Sequence, residues 1–523
     1  MIKFEVKRIL CVILVSMFFL STTAVAFRYG NNHTLDSAGD DIDPLVDLAV
    51  TVTIGEIRTL DRIDFIGNPD FYVKIFINGI ENMSPIWRDQ RYVVPNWSAT
   101  QDVPDNEENV SIIIQLWDWN FFQDELCDVS PNSQSDPLSY DVELIYSLKT
   151  GHWRGDDYVS HESIMFDRSG YGRLNGCDDN SIYQMDRDCE ILFDISQTDY
   201  DGDTIPYWTE VNRYETDPKI DDTGRDDDKD GVPIEWEHKW GYDPFAWENH
   251  VELDPDDDGL QNIEEYLTSQ WDSDPFRQDI FFEIDEMEIG PNGEGDTLPD
   301  LTKDLLRDAF SKYNIIYHID DGCMGGGELV PFDFNTTYDE LQQIYMEYFL
   351  HNDTNNWRRD AFHYIIFPYH SADYCGFAFA TTVDGGETYR INSFQISTDH
   401  MVEKAKVKPF FWSIRQMEFN ILHHKQLYIP NREYRKAVMY ASAMMHESGH
   451  NLGIFASNVP GCDNYETTTT FSKTWFEWRN YKSCMNYGYA YALVDYSDGS
   501  HGRNDFDDWG HIDLTMFQRD LMR

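Results

Sequence analysis

The chain has 523 residues, 41% hydrophobic and 15% aromatic, with 40 Lys and Arg against 95 Asp and Glu for a net charge of -55. That charge repels nucleic-acid phosphate and anionic lipid headgroups unless cations intervene, and the aromatic content excludes a wholly disordered chain. At about 100 to 200 residues per domain, the length predicts roughly three domains, each burying its own core.

Residues 1–26 read as a secretory signal: Lys3, Lys7 and Arg8 precede a mostly apolar run from Ile9 to Leu20, and Ala24, Val25 and Ala26 form a small-residue cleavage site. The run falls short of the roughly 20 residues of a spanning helix, which disfavours the alternative of an uncleaved anchor. The expectation is a secreted protein, extracellular or held at a cell surface, with no membrane span after signal cleavage. Seven of the eight cysteines then remain in an oxidising setting. Separation and domain suggest Cys177 with Cys189, Cys323 with Cys375, and Cys462 with Cys484, which leaves Cys127 single, although spacing does not fix connectivity.

Residues 27–44 are polar and aperiodic, and read as a linker. From 45 to 196 the runs "LAVTVTI", "FYVKIFI", "VSIIIQLWDW" and "CEILFDI" are short, β-branched and aromatic, separated by Gly, Pro, Asn and Asp. This predicts an all-β sandwich. Asp64 and Asp70 precede one strand, and Asp118, Asn120 and Asp124 follow another, in segments that resemble the first and third calcium loops of C2 domains. The resemblance implies that these five residues share calcium, which takes six to eight oxygens.

Residues 197–278 carry an internal repeat whose copies start at Asp199, Asp226 and Asp254. Each has carboxylates at positions 1, 3, 5 and 12: Asp199, Asp201, Asp203 and Glu210; Asp226, Asp228, Asp230 and Glu237; Asp254, Asp256, Asp258 and Glu265. Three short carboxylates on alternate residues turn inward, and a longer one closes the shell of a calcium ion. Gly231 and Gly259 supply the sharp turn at position 6, where the first copy has Thr204. With Asp-Pro steps at Asp217, Asp243 and Asp274, the segment resembles thrombospondin type 3 and dockerin-like repeats, an EF-hand-like loop without two full helices per copy. Calcium is expected to stiffen it.

Residues 279–523 alternate strand-like runs such as "DIFFEIDEM" and "FHYIIFPYH" with helical patterns, and end in a helix from about Asn431, "NREYRKAVMYASAMMHESGHNLG". A mixed α/β sheet with that helix packed beneath it is predicted. His446 and His450 are one turn apart, about 6 Å along the axis, so both imidazoles leave one face at a separation that a single metal ion bridges. Glu447 lies on the adjacent side as a general base for a zinc-activated water.

"HESGHNLG", with "SCMNY" at Ser483–Tyr487, resembles the metzincin clan of zinc endopeptidases, a zincin-type α+β fold. The resemblance implies that His446 and His450 bind zinc, Glu447 is the base, Met485 is the methionine turn beneath the metal, and Tyr487 stabilises the oxyanion. The clan's third ligand, six residues after the second histidine, is replaced by Ala456. Asp463, in the tight turn "PGCDN", is the nearest downstream donor, while Glu466, Glu477, His501 and His511 stay open as alternatives. The expected activity is a calcium-stabilised zinc metalloendopeptidase acting on extracellular protein or peptide. The alternative is a calcium-dependent adhesion or binding protein with an inactive protease-like domain.

Overall fold

The computed structural model describes residues 41–64, 67–132, 140–157, 169–371, 376–383, 387–406, 416–417, 420–421, 425, 431–469 and 471–518. The expected signal segment and Cys375 lie outside them. The protein is multidomain and rich in β-sheet.

Two antiparallel sheets form the first domain. One runs Arg173–Asn175, Cys189–Gln197, Ala49–Thr59 and Tyr92–Val93, with Trp97–Asp102 also on Ala49–Thr59. The other runs Ile80–Met83, Phe71–Ile77, Asn109–Asp118, Val142–Ser147 and Trp153–Gly155, with Glu125–Cys127 on Asn109–Asp118. Alternate residues point inward: Val50, Val52 and Ile54 from one sheet share a core with Val73, Ile75, Ile77, Val110, Ile112 and Ile114 from the other. The expected linker ends earlier than residue 44, because Ile42 is buried in this core and its amide donates to the Asp105 carbonyl at 2.9 Å.

The repeats pack around a small core of Val232, Trp236, Trp240, Tyr242 and Phe276. Each acidic loop leads into one short helical segment, of which Ile234–Trp240 and Asn262–Thr268 are regular α-helix.

The third sheet runs Ile316–Asp320, Asp279–Met287, Phe362–Phe367, Glu387–Ile396 and Gly376–Val383, with Leu329–Val330 also on Asp279–Met287. Its pairs are parallel except the last, Gly376–Val383 with Glu387–Ile396, which is antiparallel. Both faces are covered, which explains why every residue of Asp279–Met287 except Glu286 is buried, its other acids included. Ile280, Phe282 and Ile284 face the helices Asp300–Ser311 and Arg432–Asn451, while Phe281 faces Leu341, Tyr345 and Phe349. Among the described residues no helix is long and apolar enough to cross a membrane.

Ion pairs join this domain to the sandwich. Arg58 meets Asp308 at 3.1 Å, and buried Lys312 meets Asp61 at 3.0 Å.

Candidate metal centre

Helix Arg432–Asn451 starts where the Asn431 side chain accepts from the Tyr434 amide at 2.8 Å, an N-cap that satisfies one orphan donor. It ends before Gly453, whose φ of 90° lets the chain turn back. His446 and His450 leave its last turns with ring centroids 4.9 Å apart and planes at 86°. Each Nδ1 donates to a carbonyl, His446 to Cys484 at 2.9 Å and His450 to Ile454 at 2.7 Å. That arrangement fixes both tautomers and turns both Nε2 atoms the same way.

What they face is Asp463. Its Oδ1 lies 3.2 Å from His446 Nε2 and 3.7 Å from His450 Nε2, and the three ligand atoms sit within 4.8 Å of one another. The turn that delivers it is specific. Gly461 has φ of 94° against the Trp478 ring, Asp463 itself has φ of 54°, and its amide donates to the Met485 carbonyl at 3.1 Å. The turn at Met485 thus holds the carboxylate in place through the backbone.

The electrostatics match an anion between imidazoles. Burial alone pulls His446 down, but the Asp463 carboxylate, helped by Glu447, more than offsets it and raises His446 to about 9. Burial, and then the charge on His446, push His450 down to about 4. Burial raises Asp463, but its bond to His446 and the nearby imidazoles outweigh this and hold it at about 2. Glu447 is buried next to His446.

Met485 is fully buried with its sulfur against Gly449. The Tyr487 ring stacks on His446 at 5.4 Å, and its hydroxyl bonds Asp463, so it holds the carboxylate. The alternatives for the third donor lie elsewhere. Glu466 accepts from the Thr474 hydroxyl, Glu477 is exposed, His501 pairs with Asp505 at 2.9 Å, and the His511 ring sits beside Phe506. Sequence reasoning did not find the carbonyls of Cys484 and Ile454, since every residue carries one.

The three repeat loops share one geometry. Thr204 adopts φ of 73° at the position that Gly231 and Gly259 fill with 106° and 96°. In each loop the position-5 aspartate accepts the amide two residues on: Ile205 to Asp203, Val232 to Asp230, Leu260 to Asp258. The closing glutamates Glu210, Glu237 and Glu265 are buried, and Glu210 Oε2, both Glu237 oxygens and Glu265 Oε1 have no hydrogen-bond partner. Burial, and then the surrounding aspartates, raise Glu237 to about 9; burial raises Glu210 to about 8 despite its bond from Thr216. Buried carboxylates facing one another, with glutamate oxygens left without donors, form a shell suited to a divalent cation.

The sandwich loops differ. Asp118 accepts from the Asp70 amide at 2.8 Å and from Asn120 at 2.9 Å, Asp124 from the Tyr72 hydroxyl at 2.9 Å, and Asp70 pairs with Arg88 at 2.9 Å. Asp64 faces Asp70 and Glu125, and burial followed by those charges raises its pKa. Protein donors, including one guanidinium, therefore occupy much of the capacity that the C2 resemblance assigns to calcium.

The cysteine pairing differs as well. The Asp128–Asp188 bridge sets Cys189 beside Cys127, whose thiols share a hydrogen bond, while Cys177 donates to Asp188 at 3.2 Å. Cys127 rather than Cys177 is thus the cysteine that bonds Cys189, and the described cysteines are all free thiols. Cys462 and Cys484 are buried thiols in one core.

No family model matches the chain, and no curated protein does. Similar solved structures include human GIVD cytosolic phospholipase A2, at 14% identity over 29% of this chain and 17% of that chain, with a TM-score of 0.17. A C2 domain is similar at 11% identity over 29% of this chain and 98% of that one, TM-score 0.17. Another C2 domain, from plant extended synaptotagmin 1, is similar at 14% identity over 28% and 95%, TM-score 0.17. The chain spans about a sixth of the phospholipase chain it matches.

Proposed function

We propose that the C-terminal domain is a secreted, metzincin-like zinc endopeptidase acting on extracellular protein or peptide, carried on calcium-binding repeats and a C2-like sandwich. The observation that carries this reading is the convergence of His446 Nε2 and His450 Nε2 on one oxygen of Asp463. Two imidazoles and a carboxylate suit a catalytic zinc, which when bound lowers the pKa of a water to about 7 and polarises a carbonyl. Glu447 takes a proton from the attacking water and returns it to the leaving amine. Burial, with Asp463 and Glu447 adding to it, pushes the Tyr487 hydroxyl upward, so it keeps its proton and donates to the developing oxyanion.

The rival reading, a calcium-dependent adhesion protein with an inactive protease-like domain, rests on Ala456. Asp463 supplies a donor in place of the one missing there, which supports the enzyme. The sandwich serves as an accessory module for surface attachment, a role supported by Phe121 and Phe122, 84% and 96% exposed beside Asn120 and Asp124.

Glu447→Gln tests the reading. The variant is expected to keep about one zinc per chain and to lose peptide cleavage by about 100-fold or more. Cleavage retained in that variant removes Glu447 as base. Zinc below half an equivalent in the native chain, unchanged by His446→Ala with His450→Ala, favours the adhesion protein.

A further inference from the structure

The third acidic loop lies in a larger buried pocket of carboxylates than its repeat pattern describes. Asp274 and Asp279 join Asp256, Asp258 and Glu265 there, and Asp258, Glu265, Asp274 and Asp279 are only 1%, 1%, 5% and 2% exposed. They are tied together. The Asp279 amide donates to Asp258 Oδ2 at 2.7 Å, the Asp274 amide to Asp279 Oδ2 at 3.2 Å, and the Ser273 hydroxyl to Glu265 Oε2. Glu265 Oε1 is buried in the same pocket with no hydrogen-bond partner. Of the cations near Asp279, Arg277 also pairs with Asp178 at 3.3 Å and donates to the Arg173 carbonyl at 3.3 Å, and Arg173 pairs with Glu190. Carboxylates buried together this way repel one another unless a cation joins them.

We propose that Asp274 and Asp279 belong to the third cation site, so that one hard divalent ion, calcium by its all-oxygen surroundings, joins the repeats to the C-terminal sheet. This rests on the calcium reading of the repeats. Asp279 is the first residue of strand Asp279–Met287, and its Oδ1 meets His318 Nε2 at 2.5 Å on the neighbouring strand Ile316–Asp320. In the first two loops the equivalent amides belong to Asp222 and Glu248, neither of which lies in a strand. The third ion therefore sets the start of two strands whose helix-facing side packs against the histidine helix.

The test is calcium titration of the full chain, with hydrogen exchange of strands Asp279–Met287 and Ile316–Asp320 in calcium-free and calcium-loaded solution. Calcium is expected to slow exchange in both strands. Asp279→Asn keeps the amide and removes the charge; it should weaken the third site about tenfold or more, abolish the slowing, and stabilise the calcium-free chain. Asp274→Asn should do the same and decides the matter if Asp279→Asn fails to fold, while Glu237→Gln should weaken its own site and leave the slowing intact. Native affinity at the third site in both Asp279→Asn and Asp274→Asn, or calcium bound at every loop without slowed exchange, overturns the shared site and leaves the repeat reading standing. No calcium bound by the native chain removes both.

Discussion

The Met485 sulfur lies directly against Gly449, where an added Cβ would come within 2.5 Å of it and 3.2 Å of the Tyr496 hydroxyl. Gly449 stands just before His450 on the helix, so its missing side chain is what lets the turn at Met485 approach the two imidazoles. The same turn carries the Cys484 carbonyl that orients His446 and the Met485 carbonyl that anchors the Asp463 amide.

Alanine at residue 449 sets two effects against each other. Helix propensity favours it by about 1 kcal/mol, whereas overpacking a buried contact costs about 1 to 3 kcal/mol. The buried sulfur makes the second effect win, so Gly449→Ala should lower stability in urea unfolding and weaken zinc retention. A variant more stable than the native chain would show that Met485 yields freely.

Asp463→Ala should weaken zinc by more than about 100-fold, beyond the 10- to 100-fold that loss of an outer partner costs. Glu466→Ala, Glu477→Ala and His501→Ala should leave zinc affinity unchanged, because none of these side chains faces the histidines. Competition with a chelating dye reads all four variants.

Zinc uptake should release about one proton per ion between about pH 5 and pH 8. Before metal arrives, His446, raised to about 9 by Asp463 against the pull of burial, carries a proton that must leave. His450, lowered to about 4 by burial and by His446, is already neutral there, and Asp463, at about 2, is already ionised. Calorimetry in buffers of different ionisation enthalpy measures the count. A count near zero at neutral pH would mean that the His446–Asp463 pair is not charged.

The calcium-free chain should lose stability as pH rises. Glu210 and Glu237 are raised to about 8 and about 9 from an ordinary 4.5, so between those limits the folded state binds more protons than the unfolded one. Stability then falls with rising pH through that window, and saturating calcium should reverse the trend. Thermal unfolding at pH 5 and pH 8, with and without calcium, distinguishes the slopes.

Peptide mapping of oxidised protein should recover Cys127 linked to Cys189, with Cys177 reduced. A recovered Cys177–Cys189 link would contradict the strand bridge that sets Cys189 beside Cys127.

Much was legible from the amino acids because the signals are local. Two histidines one turn apart share a face by helix geometry, aspartates on alternate residues turn inward by loop geometry, and the alternation in Asn109–Asp118 fixes which side faces the core. Thr204 adopting the glycine conformation was foreshadowed only by its place in the repeat.

The donor set was decided by tertiary structure. Asp463 reaches the imidazoles because Gly461 turns against Trp478 and a backbone bond to Met485 carries the carboxylate across, and no periodicity in the chain encodes that path. Long-range burial likewise brought Arg88 to Asp70, Cys127 to Cys189, and Asp279 to the third loop. Covalent geometry determines which side chains share a face, but which faces meet depends on how the whole chain buries its apolar surface.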